Sequence, residues 1–173
     1  MERVLVSSCL LGRPVRYDGA GKAVSDDLFA RWRAEGRLVP FCPEVSGGLS
    51  VPRPPAEIVP LSPGARADGD AVLDGSARVL TDAGTDVTDA FLRGARLALS
   101  CARRAGARVA LLKEGSPSCG SRRVYDGTFT GRAVPGDGVT AALLTREGLH
   151  VFPETELDAA AAFLSRLEAS AAP

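Results

Sequence analysis

Three cysteines of the chain stand in stretches built alike: Cys9 in SSCLLGRPVRYDG (Ser7 to Gly19), Cys42 in FCPEVSGGLSVPRPP (Phe41 to Pro55) and Cys119 in LKEGSPSCGSRRVYDG (Leu112 to Gly127). In each, an apolar run gives way to a cysteine and then to Gly, Pro, Ser and Asp. Helices and central strands do not tolerate so many glycines and prolines, so each stretch reads as an ordered loop displaying a thiol. None of the three belongs to a CxxC pair, which counts against a thioredoxin-like dithiol and against a zinc knuckle. The single histidine, His150, lies inside a short apolar run and reads as a packed or hydrogen-bonded side chain. A structural zinc takes four ligands, whereas three thiolates without a fourth partner leave a coordination position open. Soft thiolates suit iron–sulfur clusters or zinc. A [4Fe–4S] cluster on three cysteines would keep one iron not bound by protein; a three-cysteine zinc would be a Lewis acid or a hydroxide source. Cys101 differs, falling on the apolar face of a long helix where a free cysteine packs as a small hydrophobe.

Around these thiols stand residues able to move protons or contact a substrate. Glu44, two positions past Cys42, is a candidate general acid or base; its bland reading is a solvated carboxylate. Ser116, three positions before Cys119, is placed to position a water or a substrate oxygen, and otherwise reads as a turn serine. Ser118 is a further candidate contact. Arg53 and Lys113 are able to meet an anionic or carbonyl group, with surface cations as the plain alternative. The pair Gly47–Gly48 is a candidate source of backbone N–H groups for a ligand.

The elements that must carry these loops alternate along the chain. Arg3–Ser7 reads as a buried strand. Ser25–Glu35 reads as a helix with Ser25 as N-cap and Gly36 as its stop, and Arg37–Phe41 as a second strand. Strand, helix and strand with this crossover make a βαβ unit with parallel strands. The Pro- and Gly-rich excursion from Arg53 to about Ala83 is expected to hold short strands near Ala56–Val59 and Arg78–Leu80, lying over the site or at the sheet edge. Asp86–Ala105 is the strongest helix, Arg108–Lys113 a third strand, Val139–Glu147 a helix, Leu149–Phe152 a last strand and Glu154–Ala171 a final helix. The expectation is one α/β domain over residues 1–173, with an open, mostly parallel sheet flanked by helices on both faces. Ligands of such sheets bind outside the carboxyl ends of the strands. Cys9, Cys42 and Cys119 each follow a strand, so all three thiols should emerge on one edge. The repeated RYDG and VYDG segments read as Asp-Gly turns with packed tyrosines.

With 173 residues the chain is long enough to bury a core. No apolar run approaches the ~20 residues of a membrane-spanning helix, and the N-terminus is unlike a signal peptide. These features point to a cytoplasmic protein. Formal net charge is zero with acids and bases interspersed, which supplies no concentrated basic face for nucleic acid. Four cysteines in a reducing compartment read as thiols.

The segments SSCLLGRPVRYDG, CPEVSGGLSVPRPPAEI, LKEGSPSCGSRRVYDG and GDGVTAALLTREGLHVFPE together resemble the DUF523 family, which includes the thiouracil desulfidases. The blocks span nearly the whole chain in family order. The resemblance implies a [4Fe–4S] cluster on Cys9, Cys42 and Cys119, with the remaining iron free to take the sulfur of a thiolated pyrimidine. It further implies attack of an activated water on the carbon, replacement of C=S by C=O and release of sulfide. Glu44 would shuttle protons and Ser116 would assist at the reacting carbon. The substrate implied is a small thiolated base or nucleoside, or a thiolated tRNA residue; no protein partner is indicated. Two other readings compete. A zinc hydrolase or deaminase would use the same cysteines, although the HxE and PCxxC signatures of zinc deaminases are absent from this sequence. A cluster-binding or sulfide-carrying protein without catalysis would have no need of Glu44.

Overall fold

The computed structural model describes residues 1–170. At its centre lie four parallel strands, β1 (Val4–Ser7), β2 (Leu38–Phe41), β5 (Val109–Leu112) and β8 (His150–Pro153), in the order β2-β1-β5-β8. The sheet is thus wholly parallel rather than mostly so. Valine, leucine and alanine fill β1 and β5, buried along their whole length, as strands covered on both faces require. Pro40 sits in β2, an edge strand, where a missing N–H costs no ladder bond. On one face Val4, Val6, Val109 and Leu111 pack against α1 (Asp27–Ala34) and α6 (Leu157–Ser170) through Phe29, Trp32, Leu157 and Leu164. On the other, Leu5, Ala110 and Leu112 meet α4 (Thr88–Ala105) and α5 (Val139–Arg146) through Ala98, Ala102, Ala141 and Leu144. Successive strand residues point to opposite faces, which sorts one strand's side chains into two cores.

Several expectations shift in detail. The first helix is capped by Asp26, not Ser25: its carboxylate accepts from the Leu28 and Phe29 amides, so the helix begins at Asp27. The stretch after Cys42 is not loop throughout. Pro43–Ser46 forms one helical turn, α2, with Pro43 at its first position, where no N–H is needed. The Pro- and Gly-rich excursion forms β3 (Ala56–Pro60) and β4 (Ala77–Thr81) as an antiparallel pair in a sheet of its own, with a short helix, α3 (Gly69–Leu73), between them. It packs through Ile58, Val72 and Val79 on Phe91 and Ala95, so one half of α4 serves this subsheet and the other half the main sheet. A second antiparallel pair, β6 (Arg123–Tyr125) and β7 (Ala133–Pro135), was not expected from the sequence. The final helix reaches Ser170, and its expected last residue, Ala171, lies outside the described residues. No helix among the described residues is long and apolar enough to cross a membrane.

Candidate active site

The carboxyl ends of β1, β2 and β5 open into a cavity of about 390 Å³ lined by Cys9, Cys42, Cys119, Glu44, Arg53 and Ser116, among others. It sits where the strand order reverses, since β1 lies between β2 and β5 and the connections leave it in both directions. Cys9 follows β1 in a 3-10 turn (Ser8–Leu11), Cys42 is the residue before α2, and Cys119 lies seven residues past Leu112, the end of β5. Cys9 and Cys119 are buried, and Cys42 is half-buried. Burial raises the Cys9 thiol to about 11, with neighbouring Cys42 adding to the shift. Burial likewise pushes up Cys42, and pushes up Cys119 further still. All four cysteines are unpaired, and Cys101 packs beside the α4 core away from the cavity. His150 stacks on Phe163 at 3.9 Å between centroids and does not line the cavity.

The loop bearing Cys119 is held from several sides. Val139 N–H of α5 donates to the Pro117 carbonyl (2.8 Å), Thr140 N–H to the Ser118 carbonyl (2.9 Å) and Gly138 N–H to the Gly120 carbonyl (2.7 Å). Amides that a helix start leaves without intrahelical partners thereby grip the loop. One oxygen of Glu114 accepts from the amides of Gly115, Ser121, Arg122 and Arg123 at 3.0–3.2 Å, closing the loop at its base. Lys113 pairs with Glu154 at 2.5 Å, and the Glu114 amide donates to the same carboxylate.

Glu44 and the serines meet across two loops. Ser118 Oγ donates to Glu44 Oε2 (3.1 Å), and Ser116 Oγ lies 2.9 Å from Ser118 Oγ. Arg53 stands 3.5 Å from Glu44 with its side chain 5% exposed, so it is a buried cation rather than a surface one. It donates to the carbonyls of Val15 (3.0 Å) and Ser50 (3.1 Å), stapling the Cys9 loop to the Cys42 loop. Its Nε–H has no hydrogen-bond partner among the described residues.

Two expectations about ligand contacts are corrected. The amides of Gly47 and Gly48 donate to Pro43 and Val45 carbonyls and do not line the cavity. Gly47 is instead required by packing: a Cβ there would lie 2.1 Å from the Ala90 carbonyl oxygen of α4. Ser118 is fully buried behind the cavity wall, where it touches Glu44 and Ser116. The tyrosines of the two YDG segments are not packed away. Tyr17 and Tyr125 are 43% and 40% exposed and both line the cavity. Glu57, also in the wall, accepts from the Gly127 and Phe129 amides and pins the β6–β7 turn over the opening. Sequence reasoning missed Glu114 and Glu57; each sits at a strand end near a site loop, a weak signal that only the amides around them make specific.

Comparison with known proteins agrees with this architecture. The family model for 2-thiouracil desulfurase matches residues 4–156. The solved structure of the [4Fe–4S]-dependent thiouracil desulfidase TudS is similar over 95% of this chain and 99% of its own, at 48% identity and a TM-score of 0.84. An uncharacterized protein of Bacillus subtilis (strain 168), YbbK, is 43% identical over 155 residues, covering 90% of this chain and 97% of that protein. With every cavity-lining thiol inside the matched span, the chain belongs to the 2-thiouracil desulfurase family.

Proposed function

We propose that this enzyme desulfurates a small thiolated pyrimidine, exchanging C=S for C=O and releasing sulfide without net oxidation or reduction. The cofactor is a [4Fe–4S] cluster held by Cys9, Cys42 and Cys119, with one iron not bound by protein. The observation that carries this reading is the convergence of three thiols from three separate strand ends on one cavity that also holds Glu44 and Ser116. The donor set is all thiol, the ligand type soft iron–sulfur centres take. Among the described residues no three His, Cys, Asp or Glu side chains converge tightly enough to hold a single metal ion.

When bound, the cluster supplies a Lewis-acidic iron with affinity for sulfur. The chain's own residues do the rest. Glu44, in the wall of the cavity, takes a proton from the attacking water and later returns one. Arg53, a residue of the cavity wall, holds the Glu44 carboxylate in place and is the cation beside the substrate. Ser116, fixed by the Ser118 and Cys119 amides at 3.2 Å, stands at the reacting carbon. The cavity volume falls in the range of small-ligand sites, and the zero net charge lacks the basic excess of RNA binders. Both favour a free base or nucleoside over a residue within tRNA. Four unpaired cysteines suit a cytoplasmic setting.

The test is anaerobic purification with an absorption spectrum and iron and sulfide assays, followed by thiouracil turnover. About four irons per chain, a broad band near ~400 nm and uracil formation are expected. One zinc per chain without colour would overturn the cluster. Glu44→Gln is expected to keep the cluster and stop turnover; undiminished turnover would instead mark Glu44 as dispensable.

A further inference from the structure

The buried hydroxyl of Ser118 has no place in the reaction as described so far, yet it lies between two residues that do. Hydrogen counting settles its orientation. Ser118 Oγ carries one hydrogen, and its shorter acceptor is Glu44 Oε2 at 3.1 Å, with Cys119 Sγ more distant at 3.6 Å. With that hydrogen spent, Ser118 can only accept from Ser116, whose Oγ lies 2.9 Å away. The Ser116 hydrogen therefore fills the contact to Ser118, while the consecutive amides of Ser118 and Cys119 donate to Ser116 Oγ at 3.2 Å and fix its place. The result is a directed chain from Ser116 through Ser118 to Glu44, ending on the Arg53 guanidinium 3.5 Å from the same carboxylate oxygen. It joins the Cys119 loop to the Cys42 loop through side chains alone.

We infer that Ser118 is the positioning residue that couples Ser116 to Glu44, setting both the direction of the Ser116 hydroxyl and the rotamer of the Glu44 carboxylate. It does so from behind the cavity wall, fully buried and without touching the substrate. Without its hydroxyl, Ser116 keeps its two amide donors but loses the acceptor for its hydrogen, and Glu44 loses a donor. The loop itself stays in place, because the α5 amides and Glu114 hold it through backbone atoms.

This inference rests on the proposed desulfuration, and its test separates the two. In holoenzyme prepared anaerobically, Ser118→Ala is expected to keep wild-type iron content and absorption, and wild-type affinity for uracil by equilibrium dialysis. Its kcat for thiouracil should fall by about tenfold or more, with KM unchanged. Because Ser118 acts through Ser116, the double variant Ser116→Ala/Ser118→Ala should be no slower than Ser116→Ala alone. Undiminished kcat in Ser118→Ala, or two losses that multiply, would overturn the coupling. Loss of iron from Ser118→Ala would also overturn it, by making the hydroxyl a support of Cys119. Wild-type holoenzyme that converts no thiouracil would instead overturn the reaction on which the inference rests.

Discussion

Gly138, the residue before α5, lies directly against the backbone of Ser118: a Cβ placed on it would stand 2.5 Å from the Ser118 carbonyl carbon and 2.6 Å from its oxygen. This close approach lets the first amides of α5 reach the carbonyls of the Cys119 loop. The position of the Cys119 loop is therefore set by the absence of a side chain on another element.

Gly138→Ala has to push that loop toward the cavity. We expect it to destabilise the fold by about 1–3 kcal/mol, the usual cost of overpacking, and to lower iron retained per chain on anaerobic reconstitution. Leu97→Ala, at an exposed position of α4, is the control and should change stability by no more than about 0.5 kcal/mol. Urea titration of both, with iron assay, checks the pair.

Arg53 should behave as a structural staple as well as a site residue. Arg53→Met removes the donors to Val15 and Ser50 and leaves Glu44 without its cation. Breaking such a buried pair costs about 3–5 kcal/mol. Arg53→Lys keeps the charge but cannot reach the two carbonyls and Glu44 together, so its urea midpoint should fall between Arg53→Met and wild type.

Cys119→Ser, Cys42→Ser and Cys9→Ser should each abolish or greatly reduce the ~400 nm absorption after reconstitution, because a cubane with two protein thiolates is poorly held. Cys101→Ser should load normally, since that thiol packs on α4 outside the cavity. Absorption and iron counts on the four variants in parallel decide it.

Asp137 supplies a pH dependence independent of the cluster. Burial raises its pKa, and the nearby carboxylates of Asp70 and Asp68 add to the shift. A raised carboxyl pKa means that the folded state binds more protons than the unfolded state between the two values, so stability falls as pH rises through that window. Above the folded value the penalty is fully present; below the unfolded value it is absent. Asp137→Asn should therefore raise Tm at pH 7, with the gain over wild type vanishing as pH drops below the ordinary carboxylate range. An advantage that persists unchanged at low pH would assign the effect to something other than ionisation.

What the residues alone determined was the order of the elements and which thiols stand at strand ends. Continuous apolar runs, the helical spacing of Phe91, Ala95, Ala98 and Ala102, and Gly106 as a stop are local signals, governed by backbone geometry within a few residues. Strand ends followed by thiols were enough to bring Cys9, Cys42 and Cys119 to one edge, because parallel strands must all present the same end. Tertiary structure alone decided which polar groups around those thiols reach the cavity and which are used up elsewhere. Gly47 resembles a ligand-binding glycine until the Ala90 carbonyl is found 2.1 Å from where its Cβ would be. Arg53 resembles a surface cation until two loops close over it. Ser118 resembles a substrate contact until Glu44 of α2, 74 positions earlier, accepts its hydrogen bond. Hydrogen-bond partners and close packing across such separations depend on how the sheet and helices assemble, so no local pattern of residues encodes them.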